Sequence, residues 1–354
     1  MAETEHAPID FPTLGFLVGD WIEAHCIIPD GFKAGQPFRL YNDQLRFLCN
    51  HYRVKSDAKW DPRDPVLAPA FYNRRSQLVR PQKWGKGPLT AAIIANEGAG
   101  VSTFAGWARG GEVYDCRDFG CGCGFVFEYE PGDPMGMPYP TPLIQLTATS
   151  EEQTDNVYRP LQEMIRRGPL GELMRVGEEF IRLAGNGRID VVTSSATSRL
   201  GNPITFALQD ETGIWLTSNH MQKVADTQRR GLAGMGGRSI ETTNPWDPSE
   251  NSVAQNTFES RATDIFKDFP MAPKTLSYTD KRERRRIHRF AYGDSLRERG
   301  GHIDLDSIEA EAMEILERDP SQAERFFGNR IVHGLGAWLR EGLWEAHYAG
   351  AVAS

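Results

Sequence analysis

The chain has 354 residues, 40% of them hydrophobic and 25% charged, and a formal net charge of −8. That composition suits a globular protein with one sizeable domain and a smaller one, and it excludes a chain-wide basic coat for nucleic acid. No apolar run approaches the ~20 residues of a membrane span, the acidic start MAETEHAPID is no secretion signal, and five cysteines in so long a chain point to a reducing cytosol rather than a disulfide framework.

Residues 1–70 are mixed in texture, with prolines and one helical stretch at YNDQLRFLCNHYRV. From Phe71 to Asn244, short apolar runs alternate with helically spaced segments. Strands are predicted at SQLV (76–79), PLIQLTA (142–148), IDVVTSS (189–195), ITFALQDE (204–211) and RSIETTN (238–244). Helices are predicted at PLTAAIIANEGAG, EEQTDNVYRPLQEMIRRG and HMQKVADTQRRGLAG. This alternation predicts an α/β fold with a mostly parallel sheet flanked by helices, and ligands beyond the carboxyl ends of its strands. The Gly- and Pro-rich stretch 106–142 interrupts the pattern and reads as a long insertion or β-rich excursion. From about Pro270 the texture turns charged and helical. The expected division is an N-terminal segment (1–70), a core (71–270, with the insertion) and a helical subdomain (271–354).

Three strand ends carry chemistry. In QLVRPQKWGKGPLTAA, Val79 closes a strand, Arg80 to Trp84 form a loop, and Gly85-Lys86 open a helix expected at Leu89. Backbone N–H groups, a helix N-terminus and a lysine are what a phosphate needs. Against G-x-x-x-x-G-K-[ST], Arg80 stands at the first glycine and Gly87 at the hydroxyl position, so the match is weak by itself. ITFALQDETGIW ends a strand in Asp210 and Glu211. Asp210 would hold Mg²⁺ through its water shell, and Glu211 would orient and deprotonate an attacking water. RSIETTNPWDPSE ends a strand in Thr242, Thr243 and Asn244, polar groups able to sense a γ-phosphate by hydrogen bonding.

Taken in order, these motifs resemble the ATPase part of the large terminase subunit, the DNA-packaging motor of tailed bacteriophages. VRPQKWGKGPLTAA resembles that family's divergent Walker A, SSATSRLGNPITFALQDETGIW its Walker B approach, and ETTNP its coupling motif. The helix at YNDQLRFL resembles the adenine-contacting element and suggests Gln44; LTATSEEQTDNVYRPL and AERFFGNRIVHGLGAWL also fit the family's order. The resemblance implies a P-loop NTPase fold of the ASCE type and hydrolysis of ATP with Mg²⁺. Its nucleotide-binding set would be Gln44, Arg80, Gln82, Lys83, Trp84, Gly85, Lys86, Gly87 and Thr242 to Asn244. Asp210 would bind metal, and Glu211, Lys86 and Arg230 would be catalytic. It further implies double-stranded phage DNA, a portal or prohead and a small terminase subunit as partners, a homo-oligomeric ring, and the host cytoplasm as location. Two departures are Gly87, which cannot ligate Mg²⁺, and Gln82, where the family often carries arginine. The chain stops at Ser354 without the family's nuclease domain, so no DNA cleavage is expected of it. The alternatives are a helicase-like P-loop ATPase and a non-hydrolysing assembly module.

Other features weigh less. KRERRRIHRF (281–290) could grip DNA phosphates, but a charged helix containing Glu283 reads more simply as a solvated face. Arg199, Arg229 and Arg230 are candidate arginine fingers. Cys116, Cys121 and Cys123 form C-x₄-C-x-C, three zinc ligands that would need a fourth from His25 or Cys26; free cysteines are the expectation.

Overall fold

The computed structural model describes residues 8–63, 70–177, 180–193 and 201–334. Arg199, and Ser194 and Ser195 at the end of the third predicted strand, lie outside the described residues. The first elements are α1 (Gly15–His25), α2 (Asn42–His51), β1 (Arg75–Val79) and α3 (Lys86–Ala99). A run of short strands follows: β2 (Thr103–Trp107), β3 (Val113–Asp115), β4 (Val126–Glu128) and β5 (Pro134–Met137). Then come β6 (Leu143–Thr147), α4 (Glu151–Arg167), β7 (Arg175–Val176), β8 (Phe180–Arg182), β9 (Arg188–Val192) and β10 (Phe206–Asp210). The remainder is α5 (Met221–Met235), β11 (Arg238–Thr243), α6 (Val253–Glu259), β12 (Ile265–Asp268), α7 (Lys281–Tyr292), α8 (Leu305–Arg318) and α9 (Pro320–Gly328).

The main sheet has the order β12-β1-β11-β10-β6-β9-β8-β7. Its pairings are parallel from β12 through β9, and antiparallel for β8 and β7. All five predicted strands are present in the parallel part. β11 separates β1 from β10, so it is the additional strand between the phosphate-loop strand and the acidic strand. Every residue of β10 and β11 is buried, as a sheet covered on both faces requires. Phe206, Leu208 and Ile240 face the larger core, which α1, α2, α3 and α4 complete. Trp215, Met221, Val224, Ala225 and Val253 build a smaller core with α5 and α6 on the other face. Among the described residues, no helix is long and apolar enough to cross a membrane.

α3 starts at Lys86, one turn before the expected Leu89. Gly85, at φ 107°, makes the left-handed turn into the helix, and Pro88 fits the first turn because its missing N–H would have no partner there. The helix is buried around its circumference. Its small residues Ala91, Ala92 and Ala95 let the sheet, α1 and α4 approach together. Between α3 and β6, β2 pairs with β5 and β3 with β4, both antiparallel.

The run KRERRRIHRF forms most of α7, and it is not an all-round solvated face. Ile287, His288 and Ala291 are buried, and so is Arg284, whose Nε meets Glu309 at 3.3 Å. Arg285 pairs with Asp306 at 2.7 Å and Arg289 with Glu298 at 2.9 Å. Half the basic charge that could face DNA is therefore already paired with carboxylates of its own chain.

Candidate nucleotide site

β1, β10 and β11 run parallel, so their motifs end at one sheet edge. Along β10, Phe206 and Leu208 point into the α3 core, and the period-two alternation puts Asp210 on that same face. Register pairs Asp210 with Thr242, whose hydroxyl donates to Asp210 Oδ1 at 2.5 Å. Glu211 follows at φ 57°, a left-handed backbone that costs a glutamate strain and turns its carboxylate out of the strand.

Lys86 is buried at the start of α3. Its ammonium donates to Arg80 O (3.0 Å), Pro81 O (3.2 Å) and Asn244 Oδ1 (2.7 Å). Asn244 Nδ2 in turn donates to Glu211 Oε2 at 3.5 Å. A lysine can only donate and a carboxylate only accept, so these partners fix the amide orientation. One side chain thereby links the loop lysine to the acidic strand end. Thr243 serves differently: its hydroxyl takes the Gly213 N–H (2.9 Å) and holds the turn after Glu211.

The electrostatics agree with this proximity. Burial lowers the Lys86 pKa, and the Glu211 and Asp210 carboxylates oppose that shift. Burial, then the adjacent Glu211 charge, push the Asp210 carboxyl up to about 7, against the Thr242 hydroxyl and Lys86. Two carboxylates and one lysine in so dry a place form a set that a metal–polyphosphate would satisfy. Among the described residues, no side chain caps the α3 N-terminus, which leaves its first N–H groups available to an anion.

The reason for Gly87 is geometric. A Cβ at this position would lie 2.3 Å from the Asn156 carbonyl oxygen of α4. Pro160, four residues further along α4, has no N–H for that carbonyl, and its ring crowds it outward. A serine or threonine is therefore excluded by backbone packing.

Other expected residues are placed less directly. Arg80 turns its guanidinium sideways along the sheet's carboxyl edge, to Asp268 at the end of β12 (2.6 Å) and over the Trp84 ring. Trp84 is fully buried in the main core, so only its backbone lines the loop. Gln82 is held by backbone on both sides: its N–H donates to Phe326 O (2.8 Å), and its carbonyl accepts from Tyr292 (2.8 Å). Lys83, at φ 66°, forms the tip of the turn, and its carbonyl accepts from His302 Nε2 at 3.2 Å. Gln44 uses Oε1 to accept the Tyr41 N–H, while its Nε2 lies 3.8 Å from the Cβ position of Gly85. Arg230 is exposed late in α5, which runs back from the carboxyl edge toward the start of β11, so it does not reach this chain's own site. Arg229 is half-buried and bonds Asp226 and Thr257. Sequence reasoning missed Tyr292, His302 and Phe326, the outer clasp of the loop, because nothing in their local pattern names a loop so distant in sequence.

No family model matches the sequence. The chain is 26% identical over 270 residues to the Gene 13 protein of Mycobacterium phage D29, covering 72% of this chain and 41% of that protein. It is 27% identical over 264 residues to the Gene 13 protein of Mycobacterium phage L5, covering 70% and 40%. It thus spans less than half the length of these relatives. Among solved structures it is similar to the HK97 bacteriophage large terminase, with a TM-score of 0.62 and 19% identity over 90% of this chain and 55% of that one. The topology and this likeness together show that the chain shares its fold with the HK97 bacteriophage large terminase.

Proposed function

We propose that this chain is an ATPase motor that hydrolyses Mg-ATP to move double-stranded phage DNA into a prohead. The observation that carries the reading is the Asn244 amide, which touches both Lys86 and Glu211 beside Asp210. The residues present fit the nucleotide and its metal. Among the described residues, Lys86 donates to three neutral oxygens that phosphate oxygens would replace, and the α3 N-terminus is uncapped. When bound, Mg²⁺ would neutralise charge on the phosphoryl oxygens.

In this reading Lys86 holds the β/γ-phosphates, and Asp210 holds the metal with Thr242 orienting its carboxylate. Glu211 accepts the proton of the attacking water. Asn244 gives up its Lys86 contact when the lysine turns to phosphate and keeps its contact to Glu211, so occupancy of the loop is reported to the base. Gln44, whose Nε2 lies near Gly85, would make the adenine contact. Arg230 would act on a neighbour's site in a ring. The portal and a small terminase subunit would be the docking partners.

A non-hydrolysing assembly module gains support from Gly87 only if that residue marks a decayed site. Its cause is the approach of α4 instead, and Asp210, Glu211 and Lys86 remain together. The test is ATP turnover by the wild type, Lys86→Ala and Glu211→Gln, with and without DNA and proheads. Wild-type turnover that both substitutions abolish is expected. Nucleotide binding without turnover in every wild-type condition would sink the motor reading in favour of the assembly module.

A further inference from the structure

We propose that His25, Cys116, Cys121 and Cys123 form a structural zinc site, distinct from the nucleotide site. Their four ligand atoms lie within 4.8 Å of one another. His25 Nε2 stands 3.2 Å from Cys116 Sγ, 3.5 Å from Cys121 Sγ and 3.1 Å from Cys123 Sγ. A tetrahedral zinc with bonds of ~2.3 Å to sulfur and ~2.0 Å to nitrogen needs N···S separations of about 3.6 Å and S···S of about 3.8 Å. The side chains are thus already spaced for an ion at their centre. Free cysteines were the expectation because three thiols at a non-standard spacing lack a fourth ligand, for which His25 and Cys26 were both candidates.

Each ligand is oriented for the task. His25 is the last residue of α1, and its Nδ1–H donates to Trp21 O at 2.7 Å. That bond fixes the tautomer and leaves the Nε2 lone pair facing the thiols, the usual arrangement behind a metal-bound imidazole. Trp21 stacks on the ring at 4.1 Å between centroids and holds its plane. Gly120 (φ 85°) and Gly124 (φ 80°) supply the left-handed turns that fold the C-x₄-C-x-C segment back on itself. Cys121 N–H bonds Cys116 O (3.1 Å), Cys116 N–H bonds Phe125 O (3.0 Å), and Phe125 N–H points at Cys123 Sγ (3.4 Å). An N–H aimed at sulfur stabilises a thiolate. Cys26, the neighbour of His25, is buried outside the group.

Four protein ligands leave no open position, which marks a structural rather than a catalytic zinc. The ion would fasten the β3–β4 hairpin to the end of α1. Since α1 packs in the same core as α3, the clip would brace the helix that carries Lys86.

The test is elemental analysis of the full chain purified from zinc-supplemented cells, with cobalt titration of the zinc-stripped protein. Expected are about one zinc per chain and the absorption bands of tetrahedral, thiolate-bound Co²⁺. Cys123→Ser, which removes the exposed ligand, should lose most of the zinc while circular dichroism stays that of the parent. Should this variant fail to fold, the wild-type cobalt spectrum still decides. The proposal is overturned by folded wild type holding under about a tenth of an equivalent of zinc without cobalt bands. A chain two hydrogens lighter from a disulfide, or iron in place of zinc, would overturn it too.

Discussion

Restoring a hydroxyl after the loop lysine should harm this protein. In a helix interior, exchanging glycine for serine gains roughly 0.5 kcal/mol from propensity. At position 87 the new Cβ would meet the Asn156 carbonyl at 2.3 Å, more than 1 Å short of ordinary contact, and the atom in the way is backbone. Overpacking of that kind costs about 1–3 kcal/mol. Gly87→Ser should therefore lose roughly 1–2 kcal/mol in urea unfolding, and Gly87→Ala should lose about as much, since the clash belongs to Cβ. Turnover should fall in both, because α4 can yield only by shifting α3 and Lys86 with it. Pro160→Ala returns a donor to the Asn156 carbonyl and should recover part of the loss, a coupling that a double-mutant cycle measures. The reasoning is refuted if Gly87→Ser is as stable as the parent and raises Mg²⁺-dependent turnover.

Asn244→Ala should leave ATP binding within a few-fold but slow single-turnover hydrolysis by ~10-fold or more, because it uncouples Lys86 from Glu211. Equal losses in binding and rate would instead mean the amide only supports the loop. Glu211→Gly should abolish turnover while stabilising the fold by ~1 kcal/mol, since glycine removes the strain of φ 57°; a destabilised variant would contradict the strain argument. Asp210 gives a pH prediction. Its folded pKa of about 7 lies above the ordinary 3.8, so its contribution to stability is fully present below pH 3.8 and is lost as pH rises through about 7. Asp210→Asn should accordingly be more stable than the parent at pH 8 and no more stable at pH 4, as urea titrations at both pH values can check. Metal binding needs the carboxylate, so Mg²⁺ affinity should fall about tenfold per pH unit below 7 in the parent and be lost in Asp210→Asn.

The five central strands were legible because each is a short apolar run closed by polar residues, and parallel pairing then forces the three chemical motifs to one edge. β12 was not legible: IFKD is half-buried, with a lysine and an aspartate in four residues. Missing it hid the partner of Arg80, Asp268, which ends that strand. That Asp210 and Glu211 close a buried strand at the sheet's carboxyl edge could be read from type and position alone. Asn244 appeared only as one of three small polar residues, since its two contacts depend on how β11 sits between β1 and β10. Gly87 looked like a missing ligand because its cause is a carbonyl of a different helix, and backbone atoms leave no mark in a side-chain pattern. The three clustered thiols and a fourth ligand from His25 or Cys26 could be named, but only the position of the end of α1 selects His25.

The clasp around the loop has a thermodynamic consequence. Gln82 is bonded to Phe326 and Tyr292, and Lys83 to His302, which itself accepts from the Tyr41 hydroxyl at 3.0 Å. The conformational entropy of ordering this turn is thus lost when the chain folds, not when a ligand arrives. Among the described residues, an incoming polyphosphate would have the three Lys86 contacts to exchange for its own. Calorimetry of nucleotide binding should then show a small heat-capacity change, without the large negative value of a loop that folds around its ligand.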